Sequence, residues 1–389
     1  MSIEVSPVGV TCNLSCPYCY EHPIREAGNF NEKPYDLTKM IQGLEKEGGY
    51  FSLFGGEPLL TDIETLEGLW KYGYDKFQKN GIQTNGTLIK EEHIELFKKY
   101  NVHVGISVDG PDELNDARWA GSLEETRRRT KMSMNAIEKL CNENIGTSFI
   151  VTLHKLNATP EKLPKLKEWF RYWDNTGRIS GARLHILEVE YDSINEALAL
   201  TDDRNVEIML EMAQLETELK TIKFDIFRDI KDILLGEDLN VTCTFRECDP
   251  FTTDAVKGIT GQGERQNCGR TNKEGINFLK SDDRGYERQM ALYNTPQEYG
   301  GCKDCRFFIM CKGQCPGTGI KYDWRNKTDK CEMYFKLFEH FEKKYEEAGV
   351  LPLSKSPELK RIESLMYNYW SQQKRCSIQN NIFPILSSY

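Results

Sequence analysis

Three cysteines open the chain in the run Thr11-Cys12-Asn13-Leu14-Ser15-Cys16-Pro17-Tyr18-Cys19-Tyr20, a CX3CX2C spacing. Thiolates at this spacing can share one metal centre. Three thiolates fix three irons of a cubane cluster that normally takes four protein ligands. The fourth iron then stays open to a ligand that is not protein. Clustered cysteines also bind zinc, and the loop alone leaves that alternative standing.

The motifs that follow are short apolar runs ending in polar loops. Phe51-Ser52-Leu53-Phe54 reads as a buried strand running into Gly55-Gly56-Glu57-Pro58. Gly81-Ile82-Gln83-Thr84-Asn85-Gly86-Thr87 predicts a further strand with a polar end, and Val102 to Val108 another that ends in Ser107-Val108-Asp109-Gly110-Pro111. Strand candidates at Ile3 to Val10, Thr147 to Thr152 and Ala182 to Leu187 complete six. Helical segments such as Asp62 to Lys79, Lys90 to Tyr100 and Glu124 to Asn144 lie between them. This alternation predicts an α/β fold with a parallel sheet, whose ligands sit at the strand ends. The glycines of Gly55-Gly56 are expected where backbone must approach a ligand closely.

The cysteine run, with aromatic Tyr18 before its third thiol, resembles the signature of the radical S-adenosylmethionine (SAM) superfamily, and Gly55-Gly56-Glu57-Pro58 resembles that family's GGEP motif. The resemblance implies a partial (β/α)6 TIM-type barrel over about residues 1–200. It also implies a [4Fe-4S] cluster on Cys12, Cys16 and Cys19, whose open iron chelates S-adenosyl-L-methionine. One electron then yields a 5′-deoxyadenosyl radical that removes an unactivated hydrogen. By the same resemblance Gly55, Gly56 and Glu57 hold the SAM amino group, and Gln83, Asn85 and Ser107 line its ribose and carboxylate side. Tyr18 and Asp109 belong to the same cofactor-binding set. A basic partner for the SAM carboxylate is expected among Arg127, Arg128, Arg129 and Lys131, at least two of which form an ordinary solvated helix face.

A second constellation lies beyond residue 240. Cys302, Cys305, Cys311 and Cys315 are spaced CX2CX5CX3C and Cys331 follows, while upstream Cys248 precedes a GX4C run from Gly263 to Cys268. These seven cysteines resemble a SPASM domain, placed at 240–345 after a helical linker at 201–239. Cys243 adds an eighth ligand, enough for two fully ligated four-iron clusters. Following the arrangement in sulfatase maturases, Cys243, Cys248, Cys268 and Cys315 would hold one auxiliary cluster, and Cys302, Cys305, Cys311 and Cys331 the other. Three [4Fe-4S] clusters are thus expected, with two zinc sites as the structural alternative for this region. Cys141 and Cys376 fit neither pattern and read as buried thiols.

The resemblance spans about residues 4 to 335 and implies a maturase acting on a ribosomally made precursor peptide. Thioether or carbon-carbon crosslinking, or splicease-like backbone excision of a tyramine unit, is favoured over formylglycine formation. Sulfatase maturases carry an aspartate directly after the GX4C cysteine, and here that position is Gly269. Asp249, next to Cys248, is the candidate replacement base, against a structural role in capping the Asp249-Pro250 turn. An iron-sulfur sensor or binding protein is the alternative of another class.

Composition narrows the partners. The chain carries 51 Lys and Arg against 60 Asp and Glu, a formal charge of −9, so no basic footprint for nucleic acid or anionic membrane is expected. Thirteen cysteines, an odd number, without an export signal point to metal ligation in a cytoplasmic protein. No winged leader-binding domain is expected ahead of Cys12, so a separate small leader-binding protein or another surface would serve. Flavodoxin or ferredoxin is the expected electron donor. In the extension at 346–389, the apolar residues Leu359, Ile362, Leu365, Met366 and Tyr369 recur at helical spacing. Ser356 to Lys374 thus reads as an amphipathic helix that packs on the protein's own body, with partner docking as the alternative.

Overall fold

The computed structural model describes residues 3–28, 34–188, 192–253, 255–271, 281 and 283–387. Eight strands form one sheet in the order β6-β5-β4-β3-β2-β1-β7-β8. They are β1 (Ile3–Ser6), β2 (Phe51–Leu53), β3 (Asn80–Thr84), β4 (Val102–Ser107), β5 (Thr147–Leu153), β6 (Ile179–Ile186), β7 (Gly258–Thr260) and β8 (Arg265–Gln266). All pairs from β6 across to β7 are parallel, and only β8 runs antiparallel to its neighbour. Parallel pairing demands a crossover between successive strands, and helices such as Ile63–Phe77, Glu91–Lys99, Leu123–Asn142 and Leu163–Thr176 supply it.

The strands show why this sheet curls around a polar interior. Thr147, Phe149, Val151 and Leu153 alternate as buried residues in β5, and Phe149 stacks on Trp169 of the helix Leu163–Thr176 at 4.7 Å between ring centroids. The intervening Ser148, Ile150 and Thr152 are half-buried and face the other way. The same alternation leaves Glu4, Ser52, Gln83, Ser107 and His185 half-buried on strands whose other face is core.

Several boundaries differ from the sequence reading. The first strand stops at Ser6 rather than Val10, because Pro7 starts the turn that delivers the cysteine loop. The charged stretch Asp203 to Leu235 is two helices, Asp202–Glu218 and Asp225–Leu234. Between them Asp174 accepts the backbone N–H groups of Lys220, Thr221 and Ile222 at 2.8–2.9 Å, which fixes the break. Beyond residue 240, β7 extends the barrel sheet beside β1, and the helix Cys331–Glu347 packs on both of those helices.

One continuous apolar core runs from Ile3 to Ile382. The tail helix, Leu359–Ser371, belongs to it, with Ile362, Met366 and Trp370 at 1%, 0% and 0% exposure and Trp370 edge-on to Phe308. Beyond it, Asp238 accepts from the Ser377 hydroxyl (2.7 Å) and the Ile378 N–H (2.8 Å), strapping the chain end to the body. Cys141 and Cys376 are buried, at 3% and 1% exposure. Among the described residues no helix is long and apolar enough to cross a membrane.

Candidate active site

The cysteine loop is bolted to the barrel at three points. Gly56 N–H donates to Gly9 O and Glu57 N–H to Thr11 O, both at 2.8 Å, and Ser15 N–H donates to Trp119 O at 2.7 Å. A Cβ on Gly56 would lie 2.0 Å from Thr11 O, and one on Gly55, which has φ +110°, 2.5 Å from Gly9 O. These glycines thus admit the backbone of the cysteine loop itself.

The Glu57 carboxylate is 0% exposed and hydrogen-bonded on both oxygens. Oε1 accepts from the Thr84 hydroxyl (2.6 Å) and the Leu59 N–H (3.1 Å), and Oε2 from the Asn85 N–H (2.8 Å). The side chain ties the end of β2 to the end of β3, and Oε2 keeps room for a further donor. Burial raises its pKa, opposed by these three donors. Asn85 continues the chain of contacts, donating from Nδ2 to Asn13 Oδ1 at 2.8 Å and so reaching the cysteine loop. Gln83 and Ser107 form a half-buried pair across β3 and β4, 2.8 Å from Nε2 to Oγ, on the polar inner face.

Asp109 is the hub of the site. Its Oδ1 accepts from Arg118 Nη2 (3.0 Å) and the Thr152 N–H (2.9 Å), while Oδ2 meets the Tyr18 hydroxyl and His154 Nε2, the latter at 3.3 Å. Burial pushes its carboxyl up, but Arg118 and the hydrogen bonds more than offset this and hold it down at about 2. Tyr18 lies against His154 (ring centroids 5.6 Å) and under Arg118 (5.9 Å). Asp109 thus orients residues around the loop from an enclosed position.

The basic residues expected on the following helix point elsewhere. Arg127 pairs with Asp116, Arg128 and Arg129 pair with Glu125, and Lys131 is exposed. The cations at the cysteine loop are instead Arg118, whose charge bears on Cys16, and Arg25, whose charge bears on Cys19 and Cys12. Sequence reading missed both, together with His154 and His185. The two histidines carried a usable signal, since they lie just past or near the ends of β5 and β6.

Several of the remaining thiols act on one another electrostatically. The charges bearing on Cys243 include those of Cys248 and Cys315, and those bearing on Cys268 include Cys315 and Cys243. Cys302, Cys305, Cys311 and Cys331 influence one another in the same way. Burial is the main cause raising the pKa of Cys12 to about 11 and of Cys16 and Cys302 to about 12, and neighbouring thiols add to it. Thiolates crowded away from water need a positive partner, and this donor chemistry fits iron-sulfur ligation. Among the described residues no three His, Cys, Asp or Glu side chains converge on one point as a single ion requires. A cubane takes one thiolate at each separate corner.

Two contacts join the residues after Cys268 to the barrel mouth. A Cβ on Gly269 would lie 2.7 Å from Tyr20 Cε2, so the residue after Cys268 packs directly on the residue after Cys19. Arg270 stacks 5.5 Å over Tyr20, pairs with Glu188 beyond β6 and lies 3.5 Å from His185 Nδ1. Burial and the charges of Arg270 and Arg183 push the His185 pKa well down. Asp249, the candidate base, is 0% exposed, and its Oδ1 caps the turn by accepting from the Phe251 N–H (2.9 Å) and Thr252 N–H (3.2 Å). Burial raises its pKa.

Comparison with known proteins fits this geometry. The model of the radical SAM superfamily matches residues 6–166. A cysteine-type anaerobic sulfatase-maturating enzyme of Clostridium perfringens is 33% identical over 378 residues, covering 87% of this chain and 96% of that protein. The chain belongs to the radical SAM superfamily. An uncharacterized Archaeoglobus fulgidus protein is 39% identical over 362 residues, covering 84% of this chain and 77% of its own length. A serine-type anaerobic sulfatase-maturating enzyme of Bacteroides thetaiotaomicron matches over 128 residues at 34% identity, 29% of this radical SAM chain and 30% of that protein. Among solved structures, anSMEcpe with bound AdoMet and Cp18Cys peptide superposes with a TM-score of 0.65 at 18% identity, over 89% of this chain and 98% of that one. Streptococcus suis SuiB bound to precursor peptide SuiA gives 0.51 at 15% identity, over 85% and 76%. The shared architecture is the radical SAM fold with a cysteine-rich carboxy-terminal region.

Proposed function

We propose that this radical SAM enzyme is a maturase acting on a ribosomally made peptide or protein, forming a thioether or carbon-carbon crosslink or excising a backbone unit. Support comes from the Clostridium perfringens relative, a sulfatase-maturating enzyme, and from SuiB, whose structure is bound to a precursor peptide. Cys12, Cys16 and Cys19 would ligate the SAM-binding cluster, which when bound supplies the electron that cleaves SAM. Gln83, Ser107, Arg118 and Arg25 would face SAM, with Tyr18, Asn85 and Asp109 holding the loop beneath it. Cys243, Cys248, Cys268 and Cys315, and separately Cys302, Cys305, Cys311 and Cys331, would ligate two auxiliary clusters. An electron donor of the flavodoxin or ferredoxin kind and a small leader-binding protein complete the proposal.

One observation carries the choice of reaction. Gly269 is packed so closely on Tyr20 that an aspartate there would have to displace the ring, so the position cannot carry a base in this conformation. Formylglycine formation is the second reading, favoured by the full-length sulfatase-maturase relative. Mass spectrometry after anaerobic co-expression with a short peptide encoded nearby separates the two. A crosslink loses two hydrogens and gives no aldehyde trappable by a hydrazide, and excision loses a tyramine mass. A hydrazide-reactive product from a sulfatase-type cysteine or serine peptide would decide for formylglycine.

A further inference from the structure

Arg288, on the helix Glu287–Asn294, is 0% exposed and carries no ion pair among the described residues. All its hydrogen bonds go to backbone carbonyls. Nε donates to Trp324 O (2.7 Å), Nη1 to Cys248 O and Lys312 O (both 3.3 Å), and Nη2 to Gly313 O (3.2 Å) and Asn326 O (3.1 Å). Neutral carbonyls satisfy the donors and leave the charge itself unbalanced, at a large cost in a buried site. The loop that supplies two of these carbonyls bends to do so. Lys312, Gly313 and Gln314, the residues between Cys311 and Cys315, all have positive φ, at 54°, 73° and 58°. The groups whose charge, once ionised, acts on Arg288 are Cys248 and Cys315 of one auxiliary group, Cys302 of the other, and Asp249.

We propose that Arg288 is a fixed positive charge shared by both auxiliary thiol groups, which raises the reduction potentials of the clusters they hold. A nearby cation stabilises the more negative, reduced form of a cluster, and net charge is one of the levers that set such potentials. This rests on reading both groups as four-iron sites. Arg288 touches neither substrate nor SAM and acts as a positioning residue through the clusters.

The test compares the reconstituted parent with Arg288→Gln and Arg288→Lys by iron content, thermal unfolding and redox titration followed by electron paramagnetic resonance. The glutamine variant should keep its iron and shift both auxiliary midpoints to more negative potential, leaving the amino-terminal cluster unmoved. Parent-like auxiliary midpoints in that variant overturn the proposal. Should glutamine cost the protein its iron, lysine decides, because it keeps the charge but can make at most three of the five hydrogen bonds. Unchanged midpoints with a lowered melting temperature then support the charge, and midpoints that fall with stability overturn it. A parent lacking about eight auxiliary irons would instead refute the underlying cluster reading.

Discussion

Arg118 Nη2 stands 3.0 Å from Asp109 Oδ1 at a point where Asp109 is 0% and Arg118 9% exposed. Removing one partner of such a pair strands the other without water, which costs about 3–5 kcal/mol. Arg118→Met should lose about that much in urea unfolding and weaken SAM binding. The double variant with Asp109→Asn should recover part of the stability. Additive losses would show that the pair is not coupled. Arg127→Ala and Arg128→Ala, on the solvated helix face, should leave both readouts at parent values.

Gly56→Ala tests the loop anchor. The added methyl meets Thr11 O at 2.0 Å and must push the cysteine loop off β2. Iron should fall by about four of about twelve atoms per chain, with the auxiliary signals retained. A parent-like iron count and SAM cleavage rate would show that the loop is not held this way.

Asp174 predicts a pH dependence. Burial raises its carboxyl pKa, but the N–H donors of Lys220, Ile222 and Thr221 overcome this and lower it from 3.8 to about 2. A depressed folded pKa contributes stability that is present above the unfolded value and is lost as pH falls through the folded one. The stability gap between parent and Asp174→Asn should thus be full at pH 6 and shrink between about pH 4 and pH 2. Cluster loss in acid is common to both proteins, so the difference in urea midpoint isolates the carboxyl. A gap independent of pH would contradict the assignment.

Met366 lies at 0% exposure on the tail helix. Met366→Glu should cost several kcal/mol and lower the melting temperature before it affects binding of any partner. Parent-like stability with weakened substrate binding would mean that this face is a docking surface.

The strand ends and both cysteine patterns were legible because they depend on local spacing. The roles of Glu57 and Arg118 were not. Glu57 follows two glycines in a motif that reads as a ligand cradle, and only the fold shows it also tying together Thr84, Leu59 and Asn85. Arg118 lies between a turn and a helix with no periodicity around it, and reaches the cysteine loop only because the segment 111–120 folds back over it. The helix carrying Arg127 to Lys131 offered four cations, but ion pairs with Asp116 and Glu125 take up its three arginines on the outer surface. The interleaving of the auxiliary thiols rests on resemblance alone, since Cys311 and Cys315 are close in sequence and local spacing does not separate them. Between them, the positive φ of Lys312, Gly313 and Gln314 turns the chain.

The most direct measurement of the account is 5′-deoxyadenosine formation from SAM under strong reductant, in the anaerobically reconstituted parent and in the triple variant Cys12→Ala, Cys16→Ala, Cys19→Ala. The parent should cleave SAM and the variant should not, while keeping its auxiliary iron. A variant that still cleaves SAM at the parent rate, or a parent that holds stoichiometric zinc and little iron, would contradict the account.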